Sequence, residues 1–207
     1  MVLEETDKQK VADYLKNVKV TLLFFKSDSP DCEYCGVIEE LLNDIKEISE
    51  VDFRTLDLDS PLAKKHGIKK APAIIFEKYP NIRYYGIPSG HEFMAFLSIV
   101  KMASIGKVEL PEDVQAEAIT IDKPVDIMVF ITPTCPYCKG PVVIGHMLAM
   151  LNPKITSIMV EAMEYRELAM KHQVSAVPKI VVNGKASAEG AIPPKAMLQL
   201  IQKALAE

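Results

Sequence analysis

The stretch that decides the fold is VDIMVFI-TPT-CPYC, residues 125–138. Residues 125–131 form a β-branched, mostly apolar run that predicts a buried strand, which ends in the Thr-Pro-Thr turn. Beyond the two cysteines, apolar residues recur at roughly helical spacing over 142–151. Cys135 and Cys138 are therefore predicted at the point where a strand passes into the N-terminus of a helix.

Two cysteines at a helix N-terminus have a specific chemistry. Unpaired backbone N–H groups and the helix dipole stabilise a thiolate, so the pKa of the first cysteine falls below its free value of about 8.5. The thiolate is the species that attacks a disulfide, and the second cysteine can then close on the mixed disulfide and release the partner. This predicts thiol–disulfide exchange at Cys135 and Cys138.

The same arrangement occurs earlier in the chain. Residues 20–25 form another short apolar run, residues 26–31 form a turn, and the pair Cys32 and Cys35 follows it. Apolar residues at helical spacing occupy 37–48. The chain has four cysteines and all of them belong to these two CxxC pairs.

The two halves of the chain repeat each other. Pro72 and Pro178 follow the two cysteine pairs at nearly equal spacing, and each introduces an apolar run that predicts a strand. Both halves predict the order helix, strand, CxxC-helix, strand, short helix, proline-led strand, strand, helix. We expect a boundary near Leu110, with one domain over 1–110 and a second over 111–207. The order resembles the thioredoxin fold, which gives an α/β class: two tandem thioredoxin folds, each a central mixed β-sheet flanked by helices.

Composition indicates a soluble globular protein. The chain has 207 residues, of which 49% are hydrophobic and 25% charged, and its net charge of −4 argues against nucleic acid or an anionic membrane as a partner. No apolar run approaches the roughly 20 residues of a membrane span, and residues 1–10 are acidic rather than signal-like. We expect a cytoplasmic protein, and the scarcity of Asn and Gln favours a thermophilic source.

With both motifs in view, the chain resembles a known family over essentially its whole length. Tandem thioredoxin folds with two CxxC sites, the second within TCPYC at 134–138, are similar to the protein disulfide oxidoreductases, or glutaredoxin-like proteins, of archaea and thermophilic bacteria. The stretches RYYGIPSGHEF at 83–93 and AVPKIV at 176–181 also resemble that family.

The resemblance implies an enzyme that reduces, oxidises or isomerises protein disulfides with Cys32, Cys35, Cys135 and Cys138 as its catalytic residues. Its redox-active disulfides would be the only redox group, with no other cofactor and no metal, and a thioredoxin reductase is a candidate electron donor. The resemblance also implies that the bonds Ala71–Pro72 and Val177–Pro178 are cis and face the sulfurs, where the backbone before each proline would pair with a substrate strand.

The chain departs from thioredoxin in two respects. It contains no Trp, and the buried Asp that precedes the thioredoxin motif by six residues is replaced by Lys26 and Val129. Another carboxylate, such as Glu161 or Asp57, is a candidate for assisting proton transfer.

Three other interpretations compete with a protein oxidoreductase. A tetrathiolate zinc site usually places its CxxC pairs roughly 15–20 residues apart, whereas these pairs are separated by about 100 residues. The CPYC spelling also suits a glutathione-linked glutaredoxin, which activity with glutathione disulfide would reveal. A non-catalytic module that only binds peptides would keep its binding after all four cysteines are replaced.

The two sites are expected to differ. Asp28, Asp31 and Glu33 surround Cys32, and their negative charges oppose formation of a thiolate. Cys135 has no acidic neighbour in sequence. We therefore predict that Cys135 has the lower pKa and that its disulfide is the more oxidising one.

Overall fold

The computed structural model describes residues 3–29 and 32–207. The helices and strands alternate along most of the chain, as the sequence predicts. In order they are α1 (Glu5–Tyr14), β1 (Val20–Lys26), α2 (Cys35–Ile48), β2 (Val51–Asp57), α3 (Pro61–His66), β3 (Ala73–Phe76), β4 (Ile82–Tyr85), α4 (His91–Ile105), α5 (Glu112–Thr120), β5 (Val125–Ile131), α6 (Lys139–Leu151), β6 (Ile155–Glu161), α7 (Arg166–Lys171), β7 (Lys179–Val182), β8 (Ala186–Glu189) and α8 (Pro194–Ala206).

The strands form one continuous mixed sheet in the order β2-β1-β3-β4-β6-β5-β7-β8. Each half contributes four strands in the same relative order, which confirms the predicted fold class. The sequence did not predict that the two sheets join edge to edge. They do so through parallel pairing of β4 with β6, from Ile82 opposite Ser157 to Tyr85 opposite Val160.

Strand directions place both cysteine pairs at the same edge of this sheet. The strand pairings between β1 and β5 show that these two strands run in the same direction. Their carboxyl ends therefore lie at the same edge of the sheet. β3 and β7 run antiparallel to them and therefore begin at that edge, directly after Pro72 and Pro178. β1 and β5 are four strand spacings apart, or about 19 Å, so the two sites are separate.

Both faces of the sheet are apolar, which is why the central strands are continuous hydrophobic runs in the sequence. Alternate residues of β1 enter different clusters: Leu22 and Phe24 pack under the longer helices, whereas Leu23 and Phe25 pack under α3. Tyr85 contacts the clusters of both halves on the α3 and α7 side. Of the helices described, none is long and apolar enough to cross a membrane.

The expected domain boundary near Leu110 falls between α4 and α5. Because one sheet spans both halves, the division into 1–110 and 111–207 stays a prediction about folding units. The repeat itself is visible in the strand order.

Candidate active site

The first cysteine pair lies at the start of α2. Cys32 precedes the helix and Cys35 is its first residue, and the two form a disulfide with their Cα atoms 5.4 Å apart. The N–H of Cys32 donates to the carbonyl of Ser29 at 2.9 Å. Both cysteines are largely buried. Asp31, one of the acidic residues expected to oppose ionisation of Cys32, lies outside the described residues.

The second pair repeats this geometry at the start of α6. Cys135 and Cys138 form a disulfide with a Cα separation of 5.6 Å, and Cys138 is the N-cap residue of the helix. The N–H of Cys135 donates to the carbonyl of Thr132 at 3.1 Å. The tyrosines inside the motifs differ, because Tyr137 is 71% exposed and Tyr34 is 37% exposed. The second motif therefore exposes its tyrosine more than the first does.

Each proline that was expected at the sites is cis. The bonds Ala71–Pro72 and Val177–Pro178 both have the expected cis form. The carbonyl of Pro72 accepts the N–H of Gly86 at 3.1 Å, and the carbonyl of Pro178 accepts that of Gly190 at 2.8 Å. The role of these loops in binding a substrate strand stays a prediction.

A cleft of about 790 Å³ opens at the first disulfide. Its walls come from both halves of the chain, which the sequence did not predict. They include, among others, Cys32, Tyr34, Lys70, Ala71, Met163 and Glu164. The turn between β6 and α7 therefore faces the disulfide of the other half.

Tyr165 fixes this turn to the loop before β3. Its hydroxyl lies 3.0 Å from the carbonyl oxygens of both Lys70 and Pro72, so a single O–H proton is shared between two acceptors. The Tyr165 ring stacks on Tyr85 at a centroid distance of 5.1 Å, and the Lys70 ammonium lies 4.8 Å from its centroid. The wall of the cleft is thus tied to the cis-proline loop by direct contacts.

Two carboxyl groups lie in the same turn. Glu161 is buried at the end of β6, where its Oε2 accepts the N–H of Glu164 at 2.7 Å. Glu164 Oε1 accepts the N–H of Ile87 at 2.6 Å. Burial raises the pKa of Glu161, and it raises the pKa of Glu164 to about 7. Asp57 holds the matching position at the end of β2, but β2 is an edge strand and Asp57 is exposed.

A third carboxyl group, Glu92, is fully buried in the first turn of α4. Neither of its oxygens has a hydrogen-bond partner among the described residues. Burial raises its pKa to about 7, against the lowering effect of Lys139, which directly follows Cys138. The N–H of His91 donates to the carbonyl of Pro133 at 3.0 Å, so the start of α4 lies against the turn that precedes Cys135. Glu92 therefore belongs to the surroundings of the second site.

Both cysteine pairs are closed as disulfides, which uses all four sulfurs. Over 3–29 and 32–207, no group of three or more His, Cys, Asp or Glu side chains is arranged to hold a metal ion. The arrangement present at each site is a disulfide at a helix N-terminus beside a cis-proline loop.

Comparisons with known proteins agree with this arrangement. The family described as "Thioredoxin domain" matches residues 125–203. The chain is similar to a protein disulfide oxidoreductase from Aeropyrum pernix K1, with a TM-score of 0.91 and 26% identity over 99% of this chain and 94% of that one. It also has the fold of the N-terminal domain of alkylhydroperoxide reductase AhpF from Enterococcus faecalis, with a TM-score of 0.85 and 24% identity over 96% and 99% of the two chains.

Curated relatives include an alkyl hydroperoxide reductase component of Pseudomonas putida, which is 23% identical over 91% of this chain and 35% of its own length. The chain spans about a third of the length of the curated relatives that it matches. The expected resemblance is confirmed by the solved structure that matches from end to end. The chain therefore has two tandem thioredoxin folds and is similar over its length to a protein disulfide oxidoreductase.

Proposed function

We propose that this protein is a protein dithiol–disulfide oxidoreductase with two exchange sites, Cys32–Cys35 and Cys135–Cys138. The observation that carries the proposal is the repeated geometry: each CxxC disulfide lies at a helix N-terminus, at the sheet edge where a cis-proline loop begins the next strand. The similarity to the Aeropyrum pernix oxidoreductase over 99% of the chain supports it.

In the reducing direction, the first cysteine of a pair attacks the substrate disulfide as a thiolate. The helix N-terminus stabilises this thiolate in both sites. A mixed disulfide forms, and one substrate sulfur leaves as a thiolate that takes up a proton. The second cysteine loses its proton, attacks the first and closes the enzyme disulfide. The second substrate sulfur leaves as a thiolate, so two electrons and the one proton of the second cysteine pass from the thiolate–thiol form of the enzyme to the substrate.

The loops at Ala71–Pro72 and Val177–Pro178 are proposed to hold the substrate strand beside the sulfurs. At the second site, Glu92 is suited to accept the proton that Cys138 loses, because it is buried near the start of α6 and its carboxyl group has a pKa close to neutrality. Of the two carboxylates expected to assist from the sequence, Glu161 is buried behind the cleft wall and Asp57 is on the surface.

Protein disulfides are the proposed substrates, and a thioredoxin reductase is the proposed electron donor. The relatives named alkyl hydroperoxide reductase favour a second candidate function, in which the chain passes electrons within a peroxide-reducing system. A cytoplasmic location, a thermophilic source, the absence of other cofactors, and the absence of nucleic-acid and membrane partners stay predictions.

A redox titration tests the proposal. The purified protein is equilibrated in dithiothreitol or glutathione buffers, quenched with an alkylating agent and read by mass, with metal content measured alongside. We expect two separate two-electron couples within roughly −270 to −120 mV, the range of exchange enzymes. Four thiols that resist oxidation and retain a stoichiometric metal would instead indicate a zinc-binding scaffold.

Substrate assays separate the remaining functions. Reduction of a protein disulfide by the dithiol form, lost in the variant with all four Cys→Ser substitutions, is the expected result. Turnover of glutathione disulfide in preference to protein disulfides would indicate a glutaredoxin. Peptide binding that persists unchanged in that variant, without exchange activity in the parent, would indicate a binding module.

A further inference from the structure

The two sites have different neighbours because of the way in which the halves are joined. β4 of the first half pairs with β6 of the second, so the first site has a second thioredoxin unit beside it. In the second half, β8 holds the place of β4, and in the sheet as described it is an edge strand with no further strand beside it. The first site therefore receives the turn between β6 and α7 of the other unit as a wall of its cleft. The second site receives the start of α4 instead, where the His91 N–H donates to the carbonyl of Pro133.

Glu164, in this wall, has one carboxyl oxygen that makes a hydrogen bond and one that makes none in the described part of the chain. Its Oε1 accepts the N–H of Ile87, whereas its Oε2 is buried and has no hydrogen-bond partner in the described part of the chain. When the carboxyl group is neutral, its proton therefore sits on Oε2, because Oε1 is already an acceptor. The residue lines the same cleft as Cys32. The described fold therefore does not use this proton, and because Oε2 is buried, its transfer to a substrate in the cleft requires the carboxyl group to turn toward the cleft.

The surroundings of Glu164 keep it able to exchange this proton near neutral pH. Burial raises its pKa to about 7, the negative charges of Glu161 and Glu33 add to the rise, and the Ile87 N–H and Lys70 oppose it. The other charged groups that line the cleft are Lys69, Arg166 and Glu167. A general acid is most effective when its pKa lies near the working pH.

We infer that Glu164, supplied by the C-terminal half, is the proton-transfer residue of the Cys32–Cys35 site in the N-terminal half. The inference rests on the proposed function and adds a residue to it. Its geometric basis is the shared cleft and the free Oε2, together with the anchoring of the turn by Tyr165.

Protons and electrons balance when this residue serves substrate reduction. The Cys32 thiolate attacks the substrate disulfide, and the sulfur that leaves takes the proton from Glu164 Oε2. Cys35 then gives its proton to the Glu164 carboxylate and attacks the sulfur of Cys32, which releases the second substrate sulfur as a thiolate. Glu164 ends protonated, the enzyme dithiol is oxidised to the disulfide and the substrate disulfide is reduced.

The test uses the full chain with Cys135→Ser and Cys138→Ser, so that only the first site can react. Glu164→Gln keeps an oxygen that can accept the Ile87 N–H but removes the exchangeable proton. We expect kcat/KM for a disulfide peptide to fall about 10-fold at pH 6. This is less than the roughly 10²–10⁴-fold typical of general acid–base catalysis, because a thiolate already leaves readily. Above pH 8, where Glu164 is ionised in the parent, the kcat/KM of Glu164→Gln should approach that of the parent.

The control is Glu167→Gln, which removes a negative charge from the same cleft. It should keep the pH dependence of the parent, whatever it does to substrate affinity. In parallel, the alkylation rate of Cys32 should show an inflection near pH 7 in the parent that is absent in Glu164→Gln, because ionised Glu164 opposes the thiolate.

The outcomes are distinguishable. The role of Glu164 is overturned if the ratio of kcat/KM between the parent and Glu164→Gln does not change with pH, or if Glu167→Gln changes the pH dependence of kcat/KM equally. Either result leaves the proposed function intact. No reductase activity in the Cys135→Ser/Cys138→Ser parent, with both remaining thiols titratable, refutes the proposed function of this site and the inference with it.

Discussion

Replacing Tyr165 with Phe tests whether the two halves hold the first site together. The substitution removes only the hydroxyl, which bridges the carbonyls of Lys70 and Pro72 at 3.0 Å each. Pro72 keeps the Gly86 N–H as a donor, so Lys70 is the carbonyl that loses its bond in full. Losing this partly buried bond costs about 1–2 kcal/mol of unfolding free energy, and a chain of this length then loses about 2–8 °C in Tm.

The assay combines chemical denaturation with a redox titration of each site. We expect Tyr165→Phe to change the Cys32–Cys35 couple and its exchange rate while leaving Cys135–Cys138 unaltered. Tyr85→Phe is the matched control, since its ring stacks on Tyr165 but its hydroxyl makes only a long contact of 3.4 Å with Arg83. Equal stability and equal redox behaviour of the two variants would refute the reasoning.

Three further predictions concern the second site. Glu92→Gln should stabilise the protein by up to about 3 kcal/mol at pH 8 and little at pH 4 in denaturant titrations. Burial raises the pKa of Glu92 from 4.5 to about 7. The folded protein therefore has its full stability below pH 4.5, where Glu92 is protonated, and becomes less stable as the pH rises through 7. Gly90→Ala should cost about 2–3 kcal/mol in the same assay, because Gly90 has a φ of +60° and a Cβ would meet the carbonyl of Pro133; a stable variant would show that the turn can move. Alkylation at pH 6 to 7, read by mass, should modify Cys135 faster than Cys32, and equal or reversed rates would contradict the predicted asymmetry.

The sequence was sufficient for everything that is local or repeated. The apolar run at 125–131 predicts a strand because both of its faces are buried, and the cysteines follow it at a helix start. Repetition of this pattern around Cys32 predicted the two units, and the resemblance correctly placed the cis bonds at Pro72 and Pro178.

Local and repeated sequence patterns could not identify the carboxyl groups near the sites. Glu92 follows a glycine-containing turn and opens a helix, where an acidic residue normally faces solvent and favours the helix dipole. Its burial results from the packing of α4 on α6, which joins residues far apart in sequence. Glu164 and Tyr165 likewise act on the other half, and no local pattern reports such contacts.

The edge-to-edge joining of the halves explains why equal motifs gain unequal surroundings. In the repeat, Asp57 and Glu161 hold the same register, opposite the last residue of β1 and of β5 respectively. β2 is an edge strand, so Asp57 is hydrated, whereas β6 is enclosed by β4 and β5, so Glu161 is desolvated and its pKa rises. The same join gives the first disulfide a cleft with two walls and leaves Tyr137 of the second motif projecting into solvent. A cleft with two walls suits an extended segment of polypeptide, whereas an exposed tyrosine can also contact the surface of a folded protein. We therefore predict that differences in substrate choice between the sites follow from topology as well as from the identity of the residues between the cysteines.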